Sequence, residues 1–237
     1  MNILVLSTIS AHHTYFINKI DKLFKISQVI YETRSIEKDF ETKSPFEDEE
    51  IEYEKKYYFN KTKEKIRDSI KVSVIDDVNN IKSIDLIKKD FDVVIVFGCG
   101  IISPHIIKMF NSKLINVHRG IARKYRGLDS DLWAIYNNDF MNIGTTIHFV
   151  DERLDTGDIL FEKNITFESS DMIYHLRSKT TDLAIEGVLE YLKNMDLGNL
   201  NKKRQINIGK YFSAMPSSLK DECCIKFAEF IKNKFHE

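Results

Sequence analysis

Asn116 and His118 stand two residues apart at the end of the apolar run LINVH (114–118). On a strand that spacing puts both side chains on one side of the sheet. Strand carboxyl ends are where open α/β sheets place their ligands. An amide beside an imidazole can hold a developing oxyanion and move a proton. A strand-end amide and a histidine satisfied by a backbone carbonyl would give the same short pattern. Downstream, Asp155-Thr-Gly reads as a turn able to present a carboxylate, and a carboxylate beside His118 would raise its pKa and orient its ring. The segment from Arg119 to Arg126 adds Arg119, Arg123, Lys124 and Arg126, four cations within eight residues. Forked guanidinium groups suit a diphosphate, although a solvated basic loop has the same composition.

The elements that must position these groups read as an α/β alternation. Residues 3–6, 72–75 and 92–97 are short, continuous and β-branched, as buried strands are. Residues 14–24 carry Phe16, Ile17, Ile20 and Leu23 as a helical stripe, and 81–89 carry Ile84 and Ile87 on one face. Further strands are expected at 113–117, 142–150 and 159–167, the last two as a hairpin. Helices are expected at 130–137, at 171–192 with Ser169 or Ser170 as N-cap, and at 219–235. Residues 40–70, dense in Glu and Lys with Tyr53, Tyr57, Tyr58 and Phe59, read as a solvated helical excursion with its aromatics inward. The pattern implies an open, mostly parallel, twisted sheet flanked by helices, Rossmann-like, over residues 1–195. Residues 196–237 form a short C-terminal extension whose Tyr211, Phe212, Phe227, Phe230 and Phe235 could serve a homodimer.

Composition bounds the partners. Lys+Arg number 35 against 36 Asp+Glu, a formal net charge of −1. No global field favours nucleic acid or a membrane surface. The three cysteines, Cys99, Cys223 and Cys224, form neither a disulfide framework nor a zinc-spaced set. Residues 2–7 are apolar but shorter than a signal core, so a cytoplasmic location is expected. All nine glycines lie at or after Gly98, five of them from Gly98 to Gly144. The first strand therefore lacks the glycine-rich turn of a dinucleotide or P-loop site, and irregular backbone concentrates around Asn116 and His118.

Taken together, N-x-H-x-G (116–120), Y-R-G (125–127), a helix carrying Trp133, G-x-T-x-H (144–148) and L-D-x-G-x-I (154–159) resemble the formyltransferases that use 10-formyltetrahydrofolate. The resemblance is strong over about residues 91–160 and loose before it. It implies catalytic roles for Asn116, His118 and Asp155 without a metal. It implies a folate pocket from Phe97, Gly98, Ile101 and Ile102, with Asp151, Leu154 and the backbone between Asp151 and Asp155. Glycinamide ribonucleotide is disfavoured as acceptor because Ser7 to Ser10 holds no glycine, and tRNA because only 45 residues follow Leu192 and the chain is near neutral. The likeness is greatest to the sugar-nucleotide members, with Arg119, Lys124, Tyr125, Arg126, Asp129 and Trp133 as acceptor-binding residues. The expected acceptor is a nucleotide-linked amino sugar of surface polysaccharide synthesis, with dTDP-4-amino-4,6-dideoxy-D-glucose favoured.

Overall fold

The computed structural model describes residues 1–35, 38–60, 63–81 and 90–235, with the backbone alone at Ser112. Strand β1 (Ile3–Ser7) leads through Ser10, whose hydroxyl accepts from the His13 N–H at 3.2 Å, into helix α1 (Ala11–Asp21). That bond satisfies one of the four unpaired donors of a helix start. Phe16, Ile17 and Ile20 of α1 are fully buried, each contributing roughly 1.5–3 kcal/mol of transfer free energy. Next come β2 (Ile26–Glu32), helix α2 (Glu47–Glu54), β3 (Lys71–Ile75), β4 (Val93–Phe97), helix α3 (Pro104–Phe110) and β5 (Leu114–His118). The chain continues through β6 (Tyr125–Gly127), helix α4 (Ser130–Tyr136), β7 (Gly144–Phe149), β8 (Ile159–Asn164), helix α5 (Leu176–Asp196), β9 (Lys210–Phe212) and helix α6 (Ser217–Phe235).

Among the described residues the main sheet has the order β3-β2-β1-β4-β5-β7-β8, parallel from β3 to β5. Strand β7 runs antiparallel to β5, and β8 antiparallel to β7. Residues of α1 and α5 close one face over Ile3, Val5 and Ile95, and α3 closes the other over Leu4, Leu6 and Val94. A third cluster joins α4 and α6 around Leu132, Met215, Cys223 and Phe227. No described helix is long and apolar enough to cross a membrane.

Two local expectations change. The β-branched run at 72–75 is the sheet's edge strand, and Val72 and Val74 are 44% and 58% exposed, because among the described residues β3 pairs only with β2. The helix expected from 171 begins at Leu176 after a short 3-10 turn; Asp171, rather than Ser169 or Ser170, orders the entry by accepting from the Glu168 N–H and from Lys179 Nζ, each at 2.7 Å. The helix expected at 81–89 lies outside the described residues. In the tail, Phe227 is buried, Phe230 stacks on Phe140 with ring centroids 4.0 Å apart, and Phe212 stacks between Tyr125 and Trp133. Much of its apolar surface therefore packs against the same chain, leaving Tyr211 and Phe235 exposed.

Candidate active site

The β5–β7 register sets Asn116 opposite His148 and His118 opposite Thr146. All lie where β5 ends, and the 154–157 turn carries Asp155 to the same point. Asp155 is 5% exposed and adopts φ +53°, the left-handed region that Asp and Asn tolerate better than most residues. Its Oδ1 accepts from Asn116 Nδ2 at 3.2 Å and lies 3.3 Å from His148 Nε2; its Oδ2 accepts from the Gly127 N–H at 2.9 Å and lies 3.6 Å from His118 Nδ1. Burial works against ionisation here, but His118, His148 and the Gly127 N–H outweigh it and hold the carboxyl well below the usual carboxylate range.

His118 is itself pinned. Its Nε2 lies 2.7 Å from the Tyr125 carbonyl, which can only accept, so the proton on that nitrogen is fixed and Nδ1 is the edge that faces Asp155. A side chain at Gly120 would begin 2.5 Å from that Nε2, which explains the glycine there. His148 donates from Nδ1 to the Phe149 carbonyl at 2.8 Å, and its Nε2 sits 3.2 Å from Asn116 Nδ2. As a lone pair this Nε2 accepts from Asn116, and as N–H it donates to Asp155. His148 was already visible as the last residue of G-x-T-x-H, and the period of β7 puts it on the face of Thr146.

The Y-R-G segment (125–127) holds this group together, and of its three residues Gly127 lines the cavity beside it. The Tyr125 carbonyl fixes His118, the Gly127 N–H fixes Asp155, and Arg126 donates to the carbonyls of Leu154 at 2.9 Å and Gly209 at 2.6 Å. The tail contributes Gln205, whose Nε2 donates to the carbonyls of Asp155 and Gly157 at 3.2 and 2.8 Å.

Asn116, His118, His148 and Asp155 line a cavity of about 850 Å³. Every residue expected in the cofactor pocket lines it as well: Phe97, Gly98, Ile101, Ile102, Asp151 and Leu154. Apolar walls from Ile101, Ile102 and Leu154, with glycine backbone at Gly98 and Gly100, suit a flat heterobicycle, and the volume suits a ligand of drug-like size. The residues therefore fit a folate.

The expected acceptor set divides. Arg119 and Asp129 line the cavity, whereas Lys124, Tyr125, Arg126 and Trp133 do not. Arg123 pairs with Glu162, Lys124 is exposed, the Tyr125 hydroxyl donates to Asp139 at 3.0 Å, and the Trp133 indole donates to the Ser213 carbonyl at 2.9 Å. Arg119 is tethered too, through Nε to Thr180 Oγ1 and Nη2 to Asp131 Oδ2, both at 2.9 Å. Arg119, Arg123 and Arg126 are thus engaged by internal partners, while the Lys124 side chain is exposed.

Sequence reasoning missed α2. Glu50 and Glu54, four apart on its acidic face, are 8% and 2% exposed and turn toward Arg177 of α5. Arg177 donates to both Glu54 oxygens at 2.7 and 2.9 Å, and its Nη1 lies 2.9 Å from Glu50 Oε2. Glu50 and Arg177 line the cavity, as do His12 and His13 of α1.

A sequence model described as "Formyl transferase" matches residues 37–192. The methionyl-tRNA formyltransferase of Thermodesulfovibrio yellowstonii is 31% identical over 129 residues, 54% of this chain and 41% of that protein. The chain thus spans less than half the length of this curated relative. A 4-N formyltransferase from Francisella tularensis has a similar structure, with TM-score 0.60 and 21% identity, covering 90% of this chain and 76% of the other. So does the formyltransferase PseJ from Anoxybacillus kamchatkensis, solved with UDP-4,6-dideoxy-4-formamido-L-AltNAc and tetrahydrofolate, at TM-score 0.55 and 20% identity over 99% of this chain and 89% of the other.

Proposed function

The chain belongs to the formyl transferase family, and on that premise we propose that it transfers a formyl group from 10-formyltetrahydrofolate to the amino group of a nucleotide-linked amino sugar. Within that class dTDP-4-amino-4,6-dideoxy-D-glucose is the first acceptor to try, and surface polysaccharide synthesis is the setting it implies. The observation that carries the reading is the single buried carboxylate of Asp155 contacted by Asn116 and faced by His118 and His148 at a cavity wall.

10-Formyltetrahydrofolate supplies a formyl carbon attached to nitrogen, open to attack by an amine. Of this chain's groups, Asn116 Nδ2 is the neutral donor suited to the oxygen that gains negative charge: one hydrogen stays on Asp155 Oδ1, the other is freed when His148 Nε2 turns to Asp155 as N–H, and one such donor is worth roughly 3 kcal/mol of barrier in comparable sites. His118 cannot offer Nε2 to that oxygen while the Tyr125 carbonyl holds it, so its part is proton exchange between Nδ1 and Asp155. Asp155, ionised, orients Asn116 and receives the amine proton directly or through His118. Folate would lie along Phe97, Gly98, Ile101, Ile102, Asp151 and Leu154. Of the cations lining the cavity, Lys38 and Arg153 carry no ion pair among the described residues and are the ones open to a diphosphate.

The test is a panel of amino-sugar nucleotides (4-amino and 3-amino, dTDP- and UDP-linked) incubated with 10-formyltetrahydrofolate and read by mass gain of the acceptor. Formylation of formyl-methionyl-tRNA's precursor and of none of the sugars would replace this reading with the one named by the curated relatives.

A further inference from the structure

The pair His12–His13 and the acidic helix α2 take no part in the mechanism above, yet both reach the cavity. We propose that His13 and Glu50 form the wall that recognises the acceptor, a surface of hydrogen-bond acceptors matched to the amine and hydroxyl donors of a pyranose. The inference rests on the formyl-transfer reading and names the end of the acceptor that the wall sees.

His13 is 4% exposed, and its Nδ1 lies 3.0 Å from the Thr8 carbonyl. A carbonyl accepts only, so Nδ1 carries the proton, and in a neutral ring Nε2 is a lone pair. Burial keeps the ring neutral, pushing it down to about 3, with Arg119 and Arg177 adding to the effect. Nε2 has no partner among the described residues. Its edge lies against Gly98, where a side chain would begin 2.7 Å from Nε2, and this glycine has φ +85°. Gly98 therefore leaves the nitrogen uncovered at the cavity wall. Glu50 offers a second such atom. Its Oε2 takes Arg177, while Oε1 has no partner among the described residues. His12, the neighbour of His13 on α1, lies with its Nδ1 3.9 Å from Glu54 Oε1, and Glu54 shares Arg177 with Glu50, so α1 and α2 meet where His13 and Glu50 line the cavity.

The neighbouring groups narrow the ligand further. Both oxygens of Glu54 are filled by Arg177, and those of Asp131 by the Leu132 N–H and Arg119. The atoms left open are the His13 lone pair and a Glu50 oxygen; burial raises the Glu50 carboxyl to about 7 in spite of Arg177, so above that pH both are acceptors. A phosphate would meet them acceptor to acceptor, whereas an amine or hydroxyl would donate to them. The sugar end of the acceptor thus belongs on this wall and its phosphates elsewhere.

The experiment measures acceptor affinity by calorimetry for His13→Phe, His13→Gln and Glu50→Gln. The probes are dTDP-4-amino-4,6-dideoxy-D-glucose and the methyl glycoside of the same amino sugar, with tetrahydrofolate affinity as the control. His13→Phe and Glu50→Gln should each weaken both probes about tenfold by the same factor. His13→Gln, whose amide oxygen falls near the place of Nε2, should recover most of the loss, and folate binding should stay within twofold in Glu50→Gln. Glu50→Gln is isosteric and keeps the test decisive if the phenylalanine variant does not fold. Unchanged affinity in Glu50→Gln and in a folded His13→Phe overturns the proposal, as does a loss confined to the nucleotide-linked probe. A parent that binds tetrahydrofolate but neither sugar overturns the amino-sugar reading itself, and the wall's assignment with it.

Discussion

Replacing Asp155 with Asn isolates the charge at the centre of the site. Asparagine is nearly isosteric and accepts the left-handed φ of +53° at this position, so the turn is not perturbed. What changes is electrostatic. Two imidazole nitrogens lie 3.3 and 3.6 Å from the carboxylate, and at an effective dielectric constant of 20 each full charge pair at that range is worth roughly 5 kcal/mol. Desolvation of a buried carboxylate consumes part of this. If half of one pair is realised as His118 takes up its proton, the barrier rises by about 2.5 kcal/mol, which is nearly 10²-fold in rate. The amide also cannot accept on both sides: its NH2 must face either the Gly127 N–H or Asn116 Nδ2, donor against donor. The assay is formyl transfer to an amino-sugar nucleotide at saturating 10-formyltetrahydrofolate, with thermal unfolding as a check on the fold. We expect kcat to fall about 10²-fold with little change in folate affinity. A kcat within threefold of the parent, under about 1 kcal/mol of barrier, would refute the assignment of Asp155.

Other consequences follow from the same contacts. Arg177→Met leaves Glu50 and Glu54 buried without their partner and should cost about 3–5 kcal/mol in denaturant unfolding; Glu50→Leu combined with Glu54→Leu in that background should restore much of it. Gly120→Ala sets a methyl 2.5 Å from His118 Nε2 and should lower kcat by at least tenfold while tetrahydrofolate still binds, checked by calorimetry beside steady-state kinetics. The buried His13 ring stays neutral down to about 3, against the ordinary 6.5 that applies in the unfolded chain. Below 6.5 the unfolded chain binds a proton that the folded one refuses, so stability is full above 6.5 and is lost as pH falls toward 3, by about 2 kcal/mol at pH 5. Urea unfolding of His13→Phe should lack that share of the acid sensitivity, and an unchanged pH slope would contradict it.

The readable parts of this site were those whose logic is local. Asn116 and His118 share a face because strand side chains alternate, and Asp155 comes to them through a turn written in adjacent residues. The internal partners of Arg123 and Arg126 were not legible because they are remote: Glu162 lies 39 residues from Arg123, and the Gly209 carbonyl 83 from Arg126. Nothing in the composition of α2 distinguishes it from a solvated acidic helix. Its inward face exists because Arg177, 123 residues from Glu54, waits there to neutralise it. The run at 72–75 failed for a related reason, since β-branched residues favour a pleated strand but do not say whether another strand or a helix will cover it.

The internal engagement of the basic loop also bears on where an anionic acceptor can bind. For Arg126 to leave its place and grip a phosphate, the Leu154 and Gly209 carbonyls would lose their donor, at about 1–3 kcal/mol each when buried. The Leu154 carbonyl belongs to the turn that carries Asp155, so the same movement would loosen the carboxylate from Asn116 and His118. Arg119 faces a similar barrier, because Asp131 would be left at the cavity wall without its ion-pair partner. A phosphate gripped by Arg119 or Arg126 would therefore loosen the site it was meant to serve. Lys38 and Arg153, which line the same cavity without an ion pair among the described residues, carry no such cost, and this supports their place in the proposed function. The Y-R-G segment, whose Tyr125 and Arg126 were expected to bind the acceptor, supplies the contacts that keep one carboxylate, two imidazoles and one amide in register.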